Sequence, residues 1–552
     1  MKNPILRLAF IALFCLSAGS SFSQSTEWLW AKGAGGPNDE MGVSVATDAS
    51  GNVFVAGYFK SPSLTLGSFT LTRTGSCNVF LAKYDAGGNV IWATSAPGTD
   101  YDIPFAVATD ASGNVLVAGL FSSPVITFGS ISLTNAGIQD AFVAKYDAAG
   151  NVMWAKRAGG ADWDNARAIA VDGVGNVYLA GSFRSPSITF GSITLTNTTA
   201  GMYDAFLVKY DSGGNVVWAD AAGGPGNNDP ISLSTDPMGN VFITGIFSGS
   251  IMTFGSLTVT NHGLDDLFIA KYDASGNVLW AKSEGGSRED WCYSVAVDIS
   301  GNAYITGMFR SETISFGTIF LNNSAGNYHS MDIYLAKFDG SGNVLWATGA
   351  GGFDNDMANS VVTDPGGNVF ITGFFYSNSV TFGSTTLVNT NTHSDMFLAK
   401  YNPAGSVLWA LRSGGTDDDN GNSVARDATG SIFMTGIFAS PVINFGSDTL
   451  INAGAGDLFL ARLDDDITGI GESAIPGGLS LFPNPAENQV TIASMPGAAG
   501  RITIFNLEGE QYLQQEVTGT ASRLDISALP PGLYFARVVS KQGVRVGKFM
   551  KK

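Results

Sequence analysis

The chain has 552 residues and a formal net charge of −18, and only 14% of its residues are charged, against roughly 25% in an average soluble protein. The acidity lies in residues 24–474, which hold 19 Lys and Arg residues and 42 Asp and Glu residues. This balance excludes nucleic acid as a partner, because phosphate binding depends on clustered Lys and Arg.

The N-terminus has the pattern of a secretory signal peptide. Lys2 and Arg7 supply positive charge, residues 5–16 are mainly apolar, and Ser21 and Ser23 put small residues at the two positions that determine cleavage. We therefore predict a signal peptide over residues 1–23. No later stretch reaches the roughly 18 consecutive apolar residues of a membrane-spanning helix, so we predict a mature chain without a transmembrane segment.

A unit of 62 to 66 residues then recurs seven times. It is marked by Trp30, Trp92, Trp154, Trp218, Trp280, Trp346 and Trp409. In the third unit, residues 166–172, 177–183, 204–211 and 216–220 have the pattern of strands, and residues 187–196 that of an extra hairpin or ordered loop. Four strands joined by turns make one blade, so the period predicts an all-β, seven-bladed β-propeller.

The two ends of this array predict how the ring closes. No fourth strand follows the last third-strand segment, residues 459–464, and the missing pattern stands instead at residues 27–36. We therefore predict a propeller domain over residues 24–466 in which the N-terminal strand completes the seventh blade and removes an exposed sheet edge.

Two polar patterns repeat with the strands. The D-x-x-G-N segments, such as residues 48–52, favour hairpin turns over calcium loops, because they lack oxygen ligands at alternate positions. A basic residue stands at one position of every third strand, and ion pairing between blades is favoured there over a binding ring. These residues are Lys83, Lys145, Lys209, Lys271, Lys337, Lys400 and Arg462.

Carboxylates also recur in the loops that lead from the fourth strand of one blade to the first strand of the next. Loops that are equivalent by repeat fall on one face, so the sequence predicts an acidic rim there, with calcium as its candidate ligand. The favoured alternative is that each carboxylate caps its own turn. The rim residues are Glu40, Asp102, Asp164, Asp290, Asp356 and Asp419.

The repeat pattern stops after Asp466. Residues 467–478 have the composition of a linker, and residues 479–552 hold short alternating strands typical of a small β-sandwich. The segments FPNPAENQVTI, ITIFNLEGEQ, LDISALPPGLYFARVV and GKFMKK resemble the type A sorting domain of the type IX secretion system. The sorting motif in this resemblance is Phe482, Pro483, Asn484 and Pro485. The repeats over residues 27–465 resemble the bacterial SBBP β-propeller repeats.

The resemblance to the sorting domain implies export across the outer membrane of a Bacteroidota-type cell, with the type IX secretion machinery as a partner. The sequence holds no H-E-x-x-H, complete P-loop or G-x-S-x-G motif, so no catalytic or cofactor-binding residue is assigned. We therefore predict a secreted or cell-surface binding scaffold with an unknown glycan or protein ligand. The alternatives are an extracellular enzyme that acts on polysaccharide and a purely structural surface protein.

Overall fold

The structure is a computed structural model that describes residues 27–326, 330–465, 480–493, 500–506, 511–517, 521–540 and 543–552. The predicted signal peptide and the predicted linker lie outside these residues. The chain divides into two compact units, residues 1–465 and residues 466–552. Within the described residues, no helix has the length and hydropathy needed to cross a membrane.

The first unit consists of repeated antiparallel sheets, each with four strands in the order first, second, third and fourth, and there are seven of these sheets in the described residues. The fold is therefore a β-propeller, and we number the sheets blades 1 to 7 by their first strands. The first strands are Glu40–Thr47, Asp102–Thr109, Asp164–Val171, Asn228–Thr235, Asp290–Val297, Asp356–Thr363 and Asp419–Arg426. The second strands are Val53–Phe59, Val115–Phe121, Val177–Phe183, Val241–Phe247, Ala303–Phe309, Val369–Phe375 and Ile432–Phe438.

The third and fourth strands complete each blade. The third strands are Asn78–Tyr84, Asp140–Tyr146, Asp204–Tyr210, Asp266–Tyr272, Asp332–Phe338, Asp395–Tyr401 and Asp457–Asp464. The fourth strands are Val90–Ala96, Val152–Ala158, Val216–Gly223, Val278–Glu284, Val344–Ala350, Val407–Ser413 and, in blade 7, Glu27–Ala34. Because each blade is sandwiched between two others, its second and third strands are buried over nearly their whole length and are rich in β-branched and aromatic residues.

A short hairpin separates the second and third strands of every blade. The hairpin strands are Ser63–Leu66 and Phe69–Thr72, Val125–Phe128 and Ile131–Thr134, Ser187–Phe190 and Ile193–Thr196, Ile251–Phe254 and Leu257–Thr260, Thr313–Phe316 and Ile319–Asn322, Ser379–Phe382 and Thr385–Val388, and Val442–Phe445 and Asp448–Ile451. In blade 4 this hairpin pairs with the fourth strand of blade 3, through Ala222 and Phe254. The hairpin thereby covers part of an outer sheet edge that would otherwise be open to pairing.

The N-terminal strand is the fourth strand of blade 7, at the place where the repeat pattern lacks one. It runs antiparallel to the third strand of that blade, with Ala31 opposite Ala461 and Ala34 opposite Leu458. Blade 7 is thus built from both ends of the array, and the strand pairing holds those ends together.

Each of the seven tryptophans that mark the repeats links its blade to the next one through a hydrogen bond from its indole N–H. Trp30 Nε1 in blade 7 donates to the carbonyl oxygen of Ala86 in blade 1 at 3.1 Å, and Trp92 Nε1 donates to that of Ala148 at 3.1 Å. The other indoles bond at the equivalent turns to Ser212, Ala274, Gly340, Pro403 and the side chain of Asp465. These bonds form a closed cycle around the blades.

A second series of hydrogen bonds joins most of the first strands. The backbone N–H of Val45 donates to Ser423 Oγ at 3.2 Å, which links blade 1 to blade 7. The equivalent bonds elsewhere are Val107 to Ser44, Val295 to Ser232, Val361 to Ser294 and Val424 to Ser360. Alanine replaces the serine in the other two blades, at Ala106 and Ala168, and the bond is lost there.

The second unit has two antiparallel sheets, one of three strands and one of four. The strands are Ser480–Phe482, Gln489–Ala493, Gly500–Phe505, Gln511–Val517, Ala521–Asp525, Gly532–Ser540 and Gly543–Lys551. Side chains of both sheets, including Ile492, Ile502, Leu524 and Val538, share one apolar core, which is the arrangement of a small β-sandwich. The sequence pattern misses the strand Ala521–Asp525.

Candidate functional site

Two sets of loops meet at one end of the propeller, which we call the loop end. One set leads from the fourth strand of a blade to the first strand of the next, and the other leads into the third strands. Short parallel bridges join the two sets, between Gln139 and Trp163 and between Cys77 and Tyr101. Neighbouring blades therefore build this surface together, and the D-x-x-G-N turns lie at the opposite, turn end.

The predicted acidic rim is not exposed, and this corrects the sequence-based placement. Glu40, Asp102, Asp164, Asp290, Asp356 and Asp419 are all 0% exposed. Asp164 shows the reason. Its Oδ1 accepts the backbone N–H groups of Arg184 and Ser185, each at 3.2 Å, and its Oδ2 accepts the backbone N–H of Gly160 and the hydroxyl of Ser185, each at 2.7 Å. Each rim carboxylate accepts hydrogen bonds from the segment that follows the second strand of its own blade. Asp164, Asp290 and Asp419 also accept one from their own loop, as the capping alternative proposes.

Burial also changes the ionisation of these carboxyl groups. It raises the pKa of Asp356 to about 8, and the charge of the nearby Asp332 adds to the rise. It raises the pKa of Asp290 to about 6 in the same way, with Asp266 adding to the rise. Burial therefore favours the neutral form of these two carboxyl groups.

The residue immediately before each rim position is exposed at the loop end in three blades, at Tyr101, Trp163 and Asn227, and half-buried in the other four. Tyr101 and Trp163, in adjacent repeats, are each 39% exposed. The residues at this position are Asp39, Tyr101, Trp163, Asn227, Glu289, Asn355 and Asp418. Sequence reasoning missed this position because it looked for residues that repeat, whereas the available signal was a position with five residue types in seven blades beside one that is a carboxylate in six of them.

A shallow cavity of about 320 Å³ opens at the loop end between blades 7 and 1. It is lined by Asn38, Asp39, Lys60, Arg73 and Ser76. Lys60 Nζ lies 2.9 Å from an Asp39 carboxylate oxygen, so charges of both signs face the opening.

A group of possible metal donors stands between blades 6 and 7. His393 Nδ1 lies 3.4 Å from Asp417 Oδ1 and 3.7 Å from Asp418 Oδ1, and the donor atoms of all three residues lie within 4.8 Å of one another. Imidazole and carboxylate are donors that first-row divalent metals accept. It is the one such group of three in the part of the chain that the structure describes.

The turn end has the structure that the repeats predict. Asp48 Oδ1 accepts the backbone N–H groups of Ser50 and Asn52 at 2.9 Å, which is a capped hairpin turn. The basic residues of the third strands are buried against carboxylates of the same end. Lys145 Nζ lies 2.8 Å from an oxygen of Asp110, and these two side chains are 3% and 7% exposed. The favoured structural interpretation of the repeated lysines agrees with this geometry.

The sorting motif lies against the last strand of the second unit. Asn484 Oδ1 accepts the backbone N–H of Met550 at 2.9 Å, and Asn484 Nδ2 donates to the carbonyl oxygen of Lys548 at 3.3 Å. The backbone N–H of Ala486 donates to the carbonyl oxygen of Met550 at 2.7 Å. The motif is therefore fixed by the C-terminal strand, while Phe482 remains 53% exposed.

Two known families match segments of the chain, one in each part. Residues 480–552 match the family described as the secretion system C-terminal sorting domain, and residues 284–308 match the SBBP family of β-propeller repeats. Both resemblances drawn from the sequence are confirmed. The chain is an exported, secreted or cell-surface β-propeller that carries the sorting tail of the type IX secretion system.

Curated relatives match the chain at low identity. An uncharacterized WD repeat-containing protein, L264, of Acanthamoeba polyphaga mimivirus is 24% identical over 79% of this chain and 38% of its own length. The regulatory protein FlaEY of Caulobacter vibrioides is 25% identical over 58% of this chain and 36% of its own length. The chain thus spans less than two fifths of either relative.

Solved structures are similar at still lower identity. PorZ, a surface component of the type IX secretion system of Porphyromonas gingivalis, is 13% identical, with a TM-score of 0.30, 92% of this chain covered and 70% of PorZ. A puromycin hydrolase is 11% identical, with a TM-score of 0.35 and coverages of 83% and 59%. A gluconolactonase of Xanthomonas campestris is 11% identical, with a TM-score of 0.30 and coverages of 79% and 98%. Likenesses this distant carry no information about the site.

Proposed function

We propose that this protein is a cell-surface binding scaffold and that the loop end of the propeller is its binding surface. The observation that carries the proposal is the variable position before each rim acid. The strands beneath it repeat because every blade must pack in the same way, yet this side chain is aromatic, acidic or amide according to the blade. Variable side chains on a repeated, rigid frame are the usual arrangement of a recognition surface.

The chemistry of this surface favours a glycan as the ligand class. Tyr101 and Trp163 present two aromatic rings in neighbouring blades, and an aromatic face packs against the apolar face of a sugar ring while its polar edge bonds to hydroxyl groups. Asp162 and Arg184 lie beside Trp163, with Arg184 Nε 3.8 Å from an Asp162 oxygen, and supply donors and acceptors at the same place. A protein ligand remains the second ligand class.

A glycan-array screen of the secreted protein, run beside a panel of hydrolase substrates, tests the proposal. We expect binding to a defined set of glycans without turnover, and we expect Trp163→Ala and Tyr101→Ala each to weaken it about tenfold or more, the cost of a lost aromatic anchor. The matched control is Met238→Ala, because Met238 is 83% exposed at the turn end. Equal losses in the control and in the aromatic variants, or turnover of a substrate, contradict the proposal.

A divalent cation remains part of this proposal, with different donors from those that the sequence predicts. His393, Asp417 and Asp418 replace the buried rim acids as the candidate ligands for calcium or a first-row metal. The screen is therefore run with and without each cation, and Asp417→Asn should remove any cation effect. Asp354→Asn, at the equivalent position two residues before Asp356, is the control.

We also propose that residues 479–552 serve export and that residues 24–466 fold without them. The change of composition after Asp466 supports this division, and so does the separate core of the sandwich. A chain that ends at residue 466 should give an all-β circular dichroism spectrum and a cooperative melt, and should no longer reach the surface of a host with a type IX system. An insoluble truncated chain, or one that is still exported, contradicts the division.

A further inference from the structure

At the loop end, each junction between two blades brings together two buried polar side chains. One begins the third strand of a blade, and the other begins the first strand of the next blade. Five junctions hold two acids and two hold an acid with an asparagine. The acid–acid junctions are Asp140 with Asp164, Asp266 with Asp290, Asp332 with Asp356, Asp395 with Asp419, and Asp457 with Glu40, and the mixed junctions are Asn78 with Asp102 and Asp204 with Asn228.

At least one buried oxygen at each acid–acid junction accepts no hydrogen bond among the described residues, and at the junction of Asp457 with Glu40 the Oε2 of Glu40 accepts none either. Oδ1 of the third-strand aspartate is buried and accepts no hydrogen bond within the described residues. This holds for Asp140, Asp266, Asp332, Asp395 and Asp457. At Asp457 the backbone of Gly35 packs against this oxygen: a Cβ added to Gly35 would lie only 1.9 Å from Asp457 Oδ1. A buried acceptor without a donor is costly, so each of these oxygens needs an explanation.

The mixed junctions show what the oxygen requires. Asn228 Nδ2 donates to Asp204 Oδ1 at 3.3 Å, and this Oδ1 is the atom that has no donor at the five acid–acid junctions. At the other mixed junction, Asn78 Oδ1 accepts the backbone N–H of Gly75 at 3.2 Å, and its Nδ2 donates to Thr74 Oγ1 in its own blade at 3.0 Å. An amide brings its own hydrogen to the junction, whereas a second carboxylate brings none.

We propose that each acid–acid junction, apart from Asp395 with Asp419 beside the candidate metal donors, binds one proton, which the third-strand aspartate and the first-strand acid of the next blade share as a carboxyl–carboxylate hydrogen bond. Two buried carboxylates that are close together do not both ionise. At Asp164 the oxygens of the first-strand acid already accept several N–H and O–H groups, so the third-strand Oδ1 is the atom that needs the hydrogen. The shared proton plays the part of the Asn228 amide hydrogen, and its pKa belongs to the pair of acids.

Neighbouring positive charge divides the junctions into two kinds. Arg157 Nη1 lies 2.7 Å from Asp140 Oδ2, Arg412 Nε lies 2.6 Å from Asp395 Oδ2, and His262 Nδ1 lies 3.0 Å from Asp266 Oδ2. At the junctions Asp457 with Glu40 and Asp332 with Asp356, no cation pairs with either acid among the described residues.

Beside the first of these two junctions, Lys60 pairs with Asp39. At the second, the acids accept the backbone N–H of Ser324 and the N–H and hydroxyl of Ser377. The proton is held to the highest pH at this second junction, where burial and the charge of Asp332 raise the pKa of Asp356 to about 8.

This arrangement sets the sign of the pH dependence. The folded junction binds a proton that the unfolded chain releases above its ordinary carboxyl pKa of about 4, so stability is fully present below that pH and is lost as the pH rises toward the folded value. The upper limit is the pKa of Asp356, about 8. Each shared proton should raise the unfolding equilibrium constant about tenfold per pH unit within this window.

Urea unfolding of the full-length protein between pH 5 and pH 8 tests the proposal, with Asp356→Asn and Asp457→Asn as the variants. Each variant recreates a junction that the chain already contains, with asparagine in the first strand as at Asn228 or in the third strand as at Asn78, so both should fold. We expect the wild-type free energy of unfolding to fall with rising pH. Between neighbouring pH units, the unfolding equilibrium constant of each variant should rise about tenfold less than that of the wild type. Asp85→Asn, in an exposed turn, should keep the wild-type slope.

Two further measurements separate a proton from a cation. The infrared band of a protonated, buried carboxyl group should be present in the wild type at pH 7 and weaker in each variant, and EDTA should leave the pH dependence of wild-type stability unchanged. The proposal is overturned if wild-type stability is level or rises between pH 5 and pH 8, if both variants keep the wild-type slope, or if EDTA abolishes the pH dependence.

Discussion

Replacing Trp30 with alanine is expected to lower the free energy of unfolding of the propeller by roughly 3–5 kcal/mol, the cost of an aromatic side chain lost from a core. Trp30 is only 9% exposed, packs against Phe433 and donates its indole N–H to Ala86 in blade 1. It is the residue that holds the N-terminal strand in blade 7 and blade 7 against blade 1.

The control is Trp154→Ala, which removes the equivalent indole from a blade whose four strands are consecutive in the chain. Chemical unfolding should show a similar loss for both variants. Only Trp30→Ala should also make the N-terminal strand sensitive to protease, because freeing that strand leaves a sheet edge that the chain connectivity does not protect. Deleting residues 24–36 should go further and cause aggregation. A loss below about 1 kcal/mol for Trp30→Ala contradicts its part in closing the ring.

Replacing Lys145 with methionine is expected to cost about 3–5 kcal/mol, the scale of a buried ion pair that loses one partner. Lys145 Nζ lies 2.8 Å from an oxygen of Asp110, and both side chains are nearly inaccessible to water. Burial opposes ionisation of Asp110, but its hydrogen bonds with Lys145 and Asn114 outweigh burial and hold its pKa below the ordinary value. Methionine keeps most of the volume of lysine, so the loss measures the charge that is left unpaired.

The double variant Lys145→Met with Asp110→Asn is the matched comparison. Neutralising both partners should recover a large part of the loss, since no buried charge is left without a partner. The pH dependence provides a second check, because a lowered carboxyl pKa contributes stability above the ordinary value that is lost as the pH falls. The pair should therefore weaken in acid, opposite in sign to the blade junctions. A double variant no more stable than Lys145→Met argues against an electrostatic origin.

The sequence predicts the parts of this molecule that depend on short segments. The period of the tryptophans and the D-x-x-G-N turns predict the strands to within a few residues, and the absent last strand predicts the role of residues 27–34. Hydrophobic pattern and turn chemistry are local, so they can be seen without coordinates. The strand Ala521–Asp525 is not predicted, because polar residues interrupt its alternation of apolar and polar residues.

The candidate site is less predictable because it depends on which groups meet across blades. Asp356 and its equivalents look like an exposed rim from their spacing, and only the fold shows that Ser377 and the loop backbone enclose them. The contact of Asp204 with Asn228 joins positions 24 residues apart, and no periodicity within one repeat reveals it. Tyr101 and Trp163 can be read in the sequence, but a comparison that looks for repeated residues does not select a position that varies between repeats.

The pairing of Ala31 with Ala461 also sets an order of events during synthesis. The strand that leaves the ribosome first has its partner among the last residues of the array, 430 positions later. Closing so long a segment is entropically slow, and no shorter path to that pairing exists. Blades 1 to 6 can form as they emerge, while blade 7 waits for the end of the array. Until the N-terminal strand pairs with blade 7, the nascent protein exposes two unpaired strand edges. We expect a chaperone to bind during this interval, because exposed edges promote aggregation.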